Sequence, residues 1–440
     1  MSGVVRAGRL LEEIFRASPP VAITTWDGGR VGPDDPPATI RVRSAAALAR
    51  LFQAPGQLGF GRAYVAGDLD VEGDIFAALE LPLHLNGLSL KPRHWMAAVA
   101  LAGPALLGKL PVPTEEARLS GRRHSQDRDR AAVAYHYDVS NKFYELVLGP
   151  SMTYSCAYWQ PGTPTLEDAQ AAKHDLIATK LGLSRGMRLL DVGCGWGSFA
   201  HHAAAGYGVE VVGVTLSARQ AEWAGASDRA AAVAAPGDGM TPAAHGATVS
   251  IRLQDYRQVG DGPYEAISSV GMSEHVGRSN LPVYFAKLHS LLRPGGKLLN
   301  QAISALPPAA RPPLMPFPSP LPSWFASWVT PGGRGFGRDS FIDRYVFPDG
   351  ELVEVGAVVS AMQEAGLEVI QVESLREHYG PTLRSWVANL EHNWDAAVTT
   401  AGERRARIWR LYMAASARTF ETGRTSVHQV LARRPADRLT

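Results

Sequence analysis

Cysteine is nearly absent: Cys156 and Cys194 are the only two in 440 residues. That excludes a disulfide framework and a cysteine-built structural zinc site, and it points to a reducing interior. An excess of one charge is also missing. Forty-four Lys and Arg against 42 Asp and Glu leave a formal net charge of +2, which argues against a chain whose main task is holding nucleic acid. No apolar run reaches the roughly 20 residues that span a bilayer. The longest uncharged one, Trp95 to Gly108 (WMAAVALAGPALLG), is broken at Gly103-Pro104. It is expected as a buried helix pair first, with a lipid-facing surface helix the alternative. Glu12 and Glu13 stand where a secretion signal needs unbroken apolar sequence. No internal repeat is found.

Present instead is ample apolar sequence, 45% hydrophobic against 20% charged, at a length that calls for two or three modules. Residues 1–118 are expected as a smaller, lipid-associated N-terminal α+β domain. It holds an alternating strand at Ala38–Val42, a helix over Ser44–Gln53, and the glycine-punctuated stretch LGFGRAYVAGDLDVEGD. Arg118 to Arg130 carries five Arg against two Asp. A solvated linker is the first reading of that run. Attraction to an anionic lipid surface, at about 1 kcal/mol per basic residue, is the second.

Residues 119–440 form the larger domain. Helical pattern runs to about residue 180, and from Met187 the period changes. RLLDV, VEVVGVTLS, ATVSIRLQDY, YEAISSVG and GKLLNQAIS are strands that alternate with helices. The spacing predicts a parallel sheet in a doubly wound α/β fold, with its core over about 181–305. Residues 306–340 are dense in Pro, Gly, Trp and Phe, as long functional loops are. They are expected as a lid, with plain packing of Trp324, Phe325 and Trp328 the alternative. Beyond Gly350 more helical segments are expected, ending in the Arg-rich helix Gly402–Thr419, a solvated helix face first and a headgroup contact second.

Asp191-Val192-Gly193-Cys194-Gly195-Trp196-Gly197 follows the first predicted strand of the larger domain, where ligands of open α/β sheets bind. A nicotinamide dinucleotide is the first rival. Against it, the spacing is GxGxG rather than G-x-G-x-x-G. The second strand also ends in Thr215-Leu216-Ser217 and not in an acid placed for a ribose. Strand, acid and GxGxG together are the arrangement used for S-adenosylmethionine. Cys194 within the loop is expected as a small packing residue.

Four segments go together: YHYDVSNKFYELVLGPSMTYSCAYW (135–159), LLDVGCGWG (189–197), GVTLSARQ (213–220) and GMSEHVG (271–277), of which the first and fourth are far more specific than the glycine loop. With them, and more loosely YVFPDG (345–350), the chain resembles the cyclopropane-fatty-acyl-phospholipid synthases and mycolic acid cyclopropane synthases. These are S-adenosylmethionine-dependent fatty-acyl methyltransferases. The likeness covers about residues 131–440, and LGFGRAYVAGDLDVEG is similar to the N-terminal domain of the bacterial synthases.

The resemblance implies a class I methyltransferase domain that binds S-adenosylmethionine through Tyr154, Ser155, Asp191, Gly193, Gly195, Gly197, Thr215 and Gln220. Asp255 and Tyr256 match by position only. It implies methyl transfer to a cis double bond of a phospholipid acyl chain. Proton loss from the resulting carbocation then gives a cyclopropane, or, after a hydride shift, an exo-methylene branch that a separate reductase could saturate. Bicarbonate is the implied base, held by residues matching Cys156, Glu274 and Tyr379 and by backbone near Ile303. The family histidine of this site meets Gln301 here, or Asn300 if the segment is aligned without a gap. Neither amide relays a proton, which tilts the expected product towards the branch. A second departure, Ser416 for a cysteine of some relatives, carries little weight because no covalent thiol is needed.

His136 and Tyr137 are expected to shape the acyl pocket or a helix core, and His275 to pack or hydrogen-bond. Partners implied are phospholipid acyl chains at the inner face of the cell membrane, visited by a cytoplasmic, peripheral enzyme that holds no nucleic acid. A partner reductase and a homodimer are left open. The competing functions are a non-catalytic lipid carrier with a vestigial cofactor fold, and methylation of a soluble small molecule.

Overall fold

The computed structural model describes every residue except 1–5, 16–18, 55, 85–91, 107, 138, 227–246, 307–339 and 437–440. Trp324, Phe325 and Trp328, and nearly all of the expected lid, therefore lie outside the described residues. The chain divides into two compact units. One comprises the described residues of 1–118 with 340–346 and 402–419; the other comprises those of 119–310, 347–401 and 420–440.

The first unit holds a four-stranded sheet in the order β2-β1-β3-β4. Its strands are β1 (Ala22–Thr25), β2 (Arg30–Val31), β3 (Ala38–Val42) and β4 (Leu69–Gly73). β3 forms where alternation predicts it, with Ala38 and Ile40 turned inward. Ser44 caps the helix Ala45–Gln53 by accepting from the Ala46 amide, which supplies a partner to an N–H the helix cannot satisfy itself. Glycine-rich LGFGR is helical, within Gln57–Ala66. Two expectations change here. Helix Pro92–Ala102 buries Ala102 but leaves Met96 and Val99 exposed, so its apolar run is amphipathic in effect. The Arg-rich C-terminal helix is no solvated face at its centre. Arg407 and Arg410 are buried; Arg407 pairs with Asp70 at 3.1 Å and Arg410 donates to the Val71 and Gly73 carbonyls at 2.9 and 3.0 Å. Arginine stems bury well, and five donors let the head be satisfied inside.

The second unit is built on a seven-stranded sheet, ordered β10-β11-β9-β8-β5-β6-β7. The strands are β5 (Arg188–Val192), β6 (Glu210–Thr215), β7 (Val249–Leu253), β8 (Tyr264–Val270), β9 (Leu292–Ala305), β10 (Glu368–Ser374) and β11 (Thr425–Arg433). The β5–β9 pairings are all parallel, whereas β11 is antiparallel to both β9 and β10. The sequence reading named the parallel five and missed the antiparallel two. Helices cover both faces. Ile177 and Ala178 of Leu166–Leu181 pack with Phe199 and Ala200 of Ser198–Tyr207 on one side. Tyr284 and Leu288 of Leu281–Leu291 pack with Val358 and Met362 of Val355–Glu364 on the other.

β5 lies between β6 and β8. The chain leaves β5 towards β6 and β7, then returns to the other side for β8 and β9. The carboxyl end of β5 is thus the topological switch point, where such sheets open a crevice. Among the described residues no helix is long and apolar enough to cross a membrane. The basic run is also less free than a linker: residues 126–130 begin the helix Gln126–Tyr137, and Arg123 and Arg128 are held by Asp349.

Candidate active site

A cavity of about 230 Å³ opens at the end of β5. Its floor is the turn after Asp191. Gly193, Gly195 and Gly197 have φ of +75°, +57° and +80°, a left-handed backbone that side chains resist. At Gly193 a Cβ would also lie 2.3 Å from Met272 Sδ. At Gly195 it would meet nothing nearer than Gln220 Nε2 at 3.9 Å. That glycine therefore exposes bare backbone towards open space, a cradle a ligand can approach.

Asp191, next to last in the strand, is almost wholly buried, its carboxylate accepting from Ser268 Oγ at 2.6 Å. Burial pushes its pKa up to about 6, while Ser268 and Lys173 work against that rise. β6 ends in Thr215, whose hydroxyl accepts from the Ser217 amide and donates to Gln220 Oε1 at 2.8 Å. Ser217 caps the following helix, Ala218–Gly225. Gln220 is thereby oriented with its Nε2 on the cavity side.

Aromatic rings close the opposite wall. Tyr154 stacks on His136 at 5.6 Å and meets Tyr137 edge-on at 6.3 Å, and Tyr137 meets Trp196 at 5.9 Å. The Trp196 indole N–H is satisfied by Asn141 Oδ1 at 2.9 Å. His275 shares the wall with its pKa pushed down to about 4 by burial, so it is neutral at pH 7. Arg123 and Arg128 grip Asp349, which stands at φ +65°, and this holds Pro348 and Asp349 against the cavity.

Tyr154, Ser155, Asp191, Gly193, Gly195, Thr215, Gln220 and Tyr256 all line this one cavity. Gly197 stands behind it as the N-cap of Ser198–Tyr207. Asp255 is buried beneath it, its carboxylate taking the Arg257 backbone amide and guanidinium. Cys194 packs below the loop and contributes to the lining.

The four proposed catalytic residues lie off this lining. Cys156 is fully buried, its thiol directed at the Ala157 and Leu375 carbonyls, and burial pushes its pKa up. Glu274, the neighbour of His275, accepts from the Ile303 amide at 2.7 Å. Burial raises its pKa to about 7, and its Oε2 has no hydrogen-bond partner among the described residues. Tyr379 is buried against Trp386 and Phe420. Gln301 accepts from Gln429 Nε2 at 2.9 Å. A separate void of about 10 Å³ touches Glu274, Ser273 and Asn300 but none of the other three. Its volume is about what one water needs and is too small for a four-atom anion.

Lys173, His174, Gln254 and Arg257 also line the main cavity without having been singled out in the sequence. For Lys173 a signal existed. It stands in a buried helical stripe with Ala169 and Ile177, four residues from each, where an apolar side chain is the default.

The family model described as mycolic acid cyclopropane synthetase matches residues 124–430. A Mycobacterium tuberculosis protein named a probable fatty acid methyltransferase is 40% identical over 96% of this chain and 93% of its own length. The cyclopropane-fatty-acyl-phospholipid synthase of Escherichia coli is 31% identical over 90% of this chain and 87% of its own. Among solved structures, a mycolic acid cyclopropane synthase complexed with SAH and CTAB is similar at TM-score 0.56 and 32% identity. That match covers 69% of this chain and 98% of the synthase.

Proposed function

The chain belongs to the mycolic acid cyclopropane synthetase family, and we propose that it transfers a one-carbon unit to the cis double bond of unsaturated acyl chains in membrane phospholipids. At the coarser level it is a class I, S-adenosylmethionine-dependent C-methyltransferase that modifies fatty acyl chains. The observation that carries the finer reading is a switch-point cavity combining a bare-backbone glycine cradle with an uncharged aromatic wall.

The residues present fit the cofactor. The Gly193–Gly197 turn and Ser155 would hold its amino-acid end, Thr215 and Gln220 its ribose, and Tyr256 its base. When bound, it supplies an electrophilic sulfonium methyl. The chain's own groups then do two things. Tyr137, Tyr154 and Trp196 exclude water and offer ring faces to a developing carbocation, and a neutral His275 adds no opposing positive charge. Glu274 titrates near neutrality, the range in which a carboxyl exchanges protons best at physiological pH. The protonated thiol of Cys156 matches a mechanism without a covalent thiol intermediate. Bicarbonate as the base stays a proposal for the surroundings of Cys156, Glu274, Gln301 and Tyr379. The void at Glu274 does not accommodate it as it stands, so no proton transfer is derived through it.

Cyclopropane and methylene or methyl branch are both products of this chemistry. A glutamine at 301 that neither gains nor loses a proton favours the branch, and a separate reductase would then be the partner. The enzyme would work from the cytoplasm at the inner membrane face, as a monomer or homodimer. Expression in an oleate-containing host, followed by mass spectrometry of phospholipid fatty acids, tests the reading. Ring and exo-methylene chains share one mass, so ozonolysis or NMR must separate them. Unchanged lipids in cells whose purified protein binds the cofactor would sink both versions.

A further inference from the structure

One lysine and one arginine, Lys173 and Arg257, line the cavity. Arg257 is consumed: its guanidinium bonds to Asp255 at 2.7 Å and Asp129 at 3.1 Å. Lys173 is not. It is 2% exposed, and among the described residues its Nζ makes a single hydrogen bond, to Ser155 Oγ at 3.0 Å. An ammonium has three donors, so two are left over beside the cavity. Burying such a group costs several kcal/mol unless a charge answers it. An apolar residue would complete the stripe of Ala169 and Ile177 without that cost.

Asp191 supplies the complementary charge on the strand side of the cavity, with Ser268 holding one oxygen. A buried cation and a buried anion on one ligand wall suit a ligand end that carries both charges. We propose that Lys173 and Asp191 together recognise the zwitterionic amino-acid end of S-adenosylmethionine, with the Lys173 ammonium taking its carboxylate. The inference rests on the cofactor assignment above and adds a binding residue to it.

The electrostatics have a measurable consequence. Burial pushes Lys173 down to about 7, against the opposing pull of Cys156 and Asp191. The titratable groups facing it are Cys156 from the loop beside Ser155, Asp191 from β5, and His174 on its own helix. Burial keeps His174 well below its ordinary value, and the Cys156 thiol is pushed up, so neither changes charge near neutrality. A ligand carboxylate beside Lys173 raises its pKa. The binding contribution is therefore complete below about pH 7 and is lost as pH rises through the higher, ligand-bound value. Near pH 7.5, binding must take up protons. Asp191, at about 6, is already ionised there and would release protons on binding if it contributed at all.

The test is titration calorimetry of the full chain with S-adenosylhomocysteine and with 5′-methylthioadenosine, which lacks the amino-acid end. Repeating it in two buffers of different ionisation enthalpy counts the protons. In the native protein, S-adenosylhomocysteine should bind with net proton uptake at pH 7.5 and methylthioadenosine without. Lys173→Met should weaken S-adenosylhomocysteine about 10- to 100-fold, as loss of a charged hydrogen bond does, and methylthioadenosine less than twofold. Proton uptake should vanish in that variant. Lys173→Arg, which keeps the charge but does not titrate, should retain the preference for S-adenosylhomocysteine and lose the uptake. Equal loss for both ligands, or no proton uptake in the native chain, overturns the proposal. The native measurement needs no variant to fold. Failure of both ligands to bind would instead overturn the cofactor assignment.

Discussion

Glu274→Gln gives a stability measurement whose sign and size follow from the site. The native carboxyl is held at about 7 instead of its ordinary 4.5, with desolvation the largest cause and the Ile303 amide opposing it. At 1.36 kcal/mol for each tenfold change in proton affinity, that difference corresponds to about 3 kcal/mol. The direction is fixed by linkage. Because the folded-state value is raised above the unfolded one, the folded state binds more protons, and the native protein loses stability as pH rises from about 4.5 to about 7. Glutamine does not titrate. Its Oε1 can still accept from the Ile303 amide, and its Nε2 replaces the oxygen that lacks a partner among the described residues. Any constant penalty of the swap is independent of pH, and every other titration is shared by the two chains. The stability of the variant minus that of the native protein should therefore climb by about 3 kcal/mol between pH 5 and pH 8. Urea unfolding followed by tryptophan fluorescence measures it. A difference that is flat with pH, or that falls, refutes the claim that Glu274 is buried without a compensating charge. The variant should also lose acyl methylation while binding S-adenosylhomocysteine within threefold, as expected of a catalytic group that does not hold the cofactor.

Other perturbations separate the cradle, the clamp and the first unit. Gly195→Ala places a Cβ where nothing lies within 3.9 Å; it should cost about 1–2 kcal/mol of stability for the left-handed backbone and at least tenfold in S-adenosylhomocysteine affinity by calorimetry. Gly193→Ala, whose Cβ would collide with Met272 Sδ, should cost more stability, about 2–4 kcal/mol. A larger loss at Gly195 than at Gly193 would contradict the geometry. Asp349→Asn keeps a residue that tolerates φ +65° but removes the charge gripping Arg123 and Arg128. Trypsin should then cut after those arginines several-fold faster, and an unchanged rate would show that the clamp holds nothing. Arg410→Met leaves the Val71 and Gly73 carbonyls without their guanidinium, for about 2–4 kcal/mol. Cofactor affinity should stay within twofold, since Arg410 and the cofactor cavity belong to different units.

The legible part of the fold was the part whose residues face one environment. β5 and β6 are buried on both faces, so they stand out as apolar runs, and the glycine turn between β5 and its helix announces itself by composition. β10 and β11 do not. β10, EVIQVES, is largely exposed, and its scattered valines fit a helix as well as a strand. β11, TSVHQVLAR, carries His428 and Gln429 where a central strand should be apolar. Those polar residues are there because partners meet them: His428 Nδ1 faces Ser304 Oγ, and Gln429 bonds to Lys180 and Gln301. The buried arginines of the last helix escaped for the same reason. A partner from a distant segment turns a residue that looks solvated into an interior one, and only the tertiary structure supplies that partner.

The pair Asn300 and Gln301 shows how far spacing can take the site. Sequence left both open as the replacement for one histidine, yet adjacent residues of a strand point to opposite faces, so they cannot share a role. Asn300 faces the void at Glu274. Its Oδ1 accepts from Ser273 and Ser269, and its Nδ2 has no hydrogen-bond partner among the described residues. Gln301 ends a chain whose direction is set from its far end. An ammonium can only donate, so Lys180 must face Gln429 Oε1 at 2.6 Å; Gln429 then presents Nε2 to Gln301 Oε1. What Gln301 has left to offer is an N–H. A histidine in that position could accept a proton as readily as give one, whereas this amide can only hold an acceptor in place. Proton removal would then need a group that titrates, and the one we propose for it is Glu274, tied to the same strand through the Ile303 amide two residues along β9.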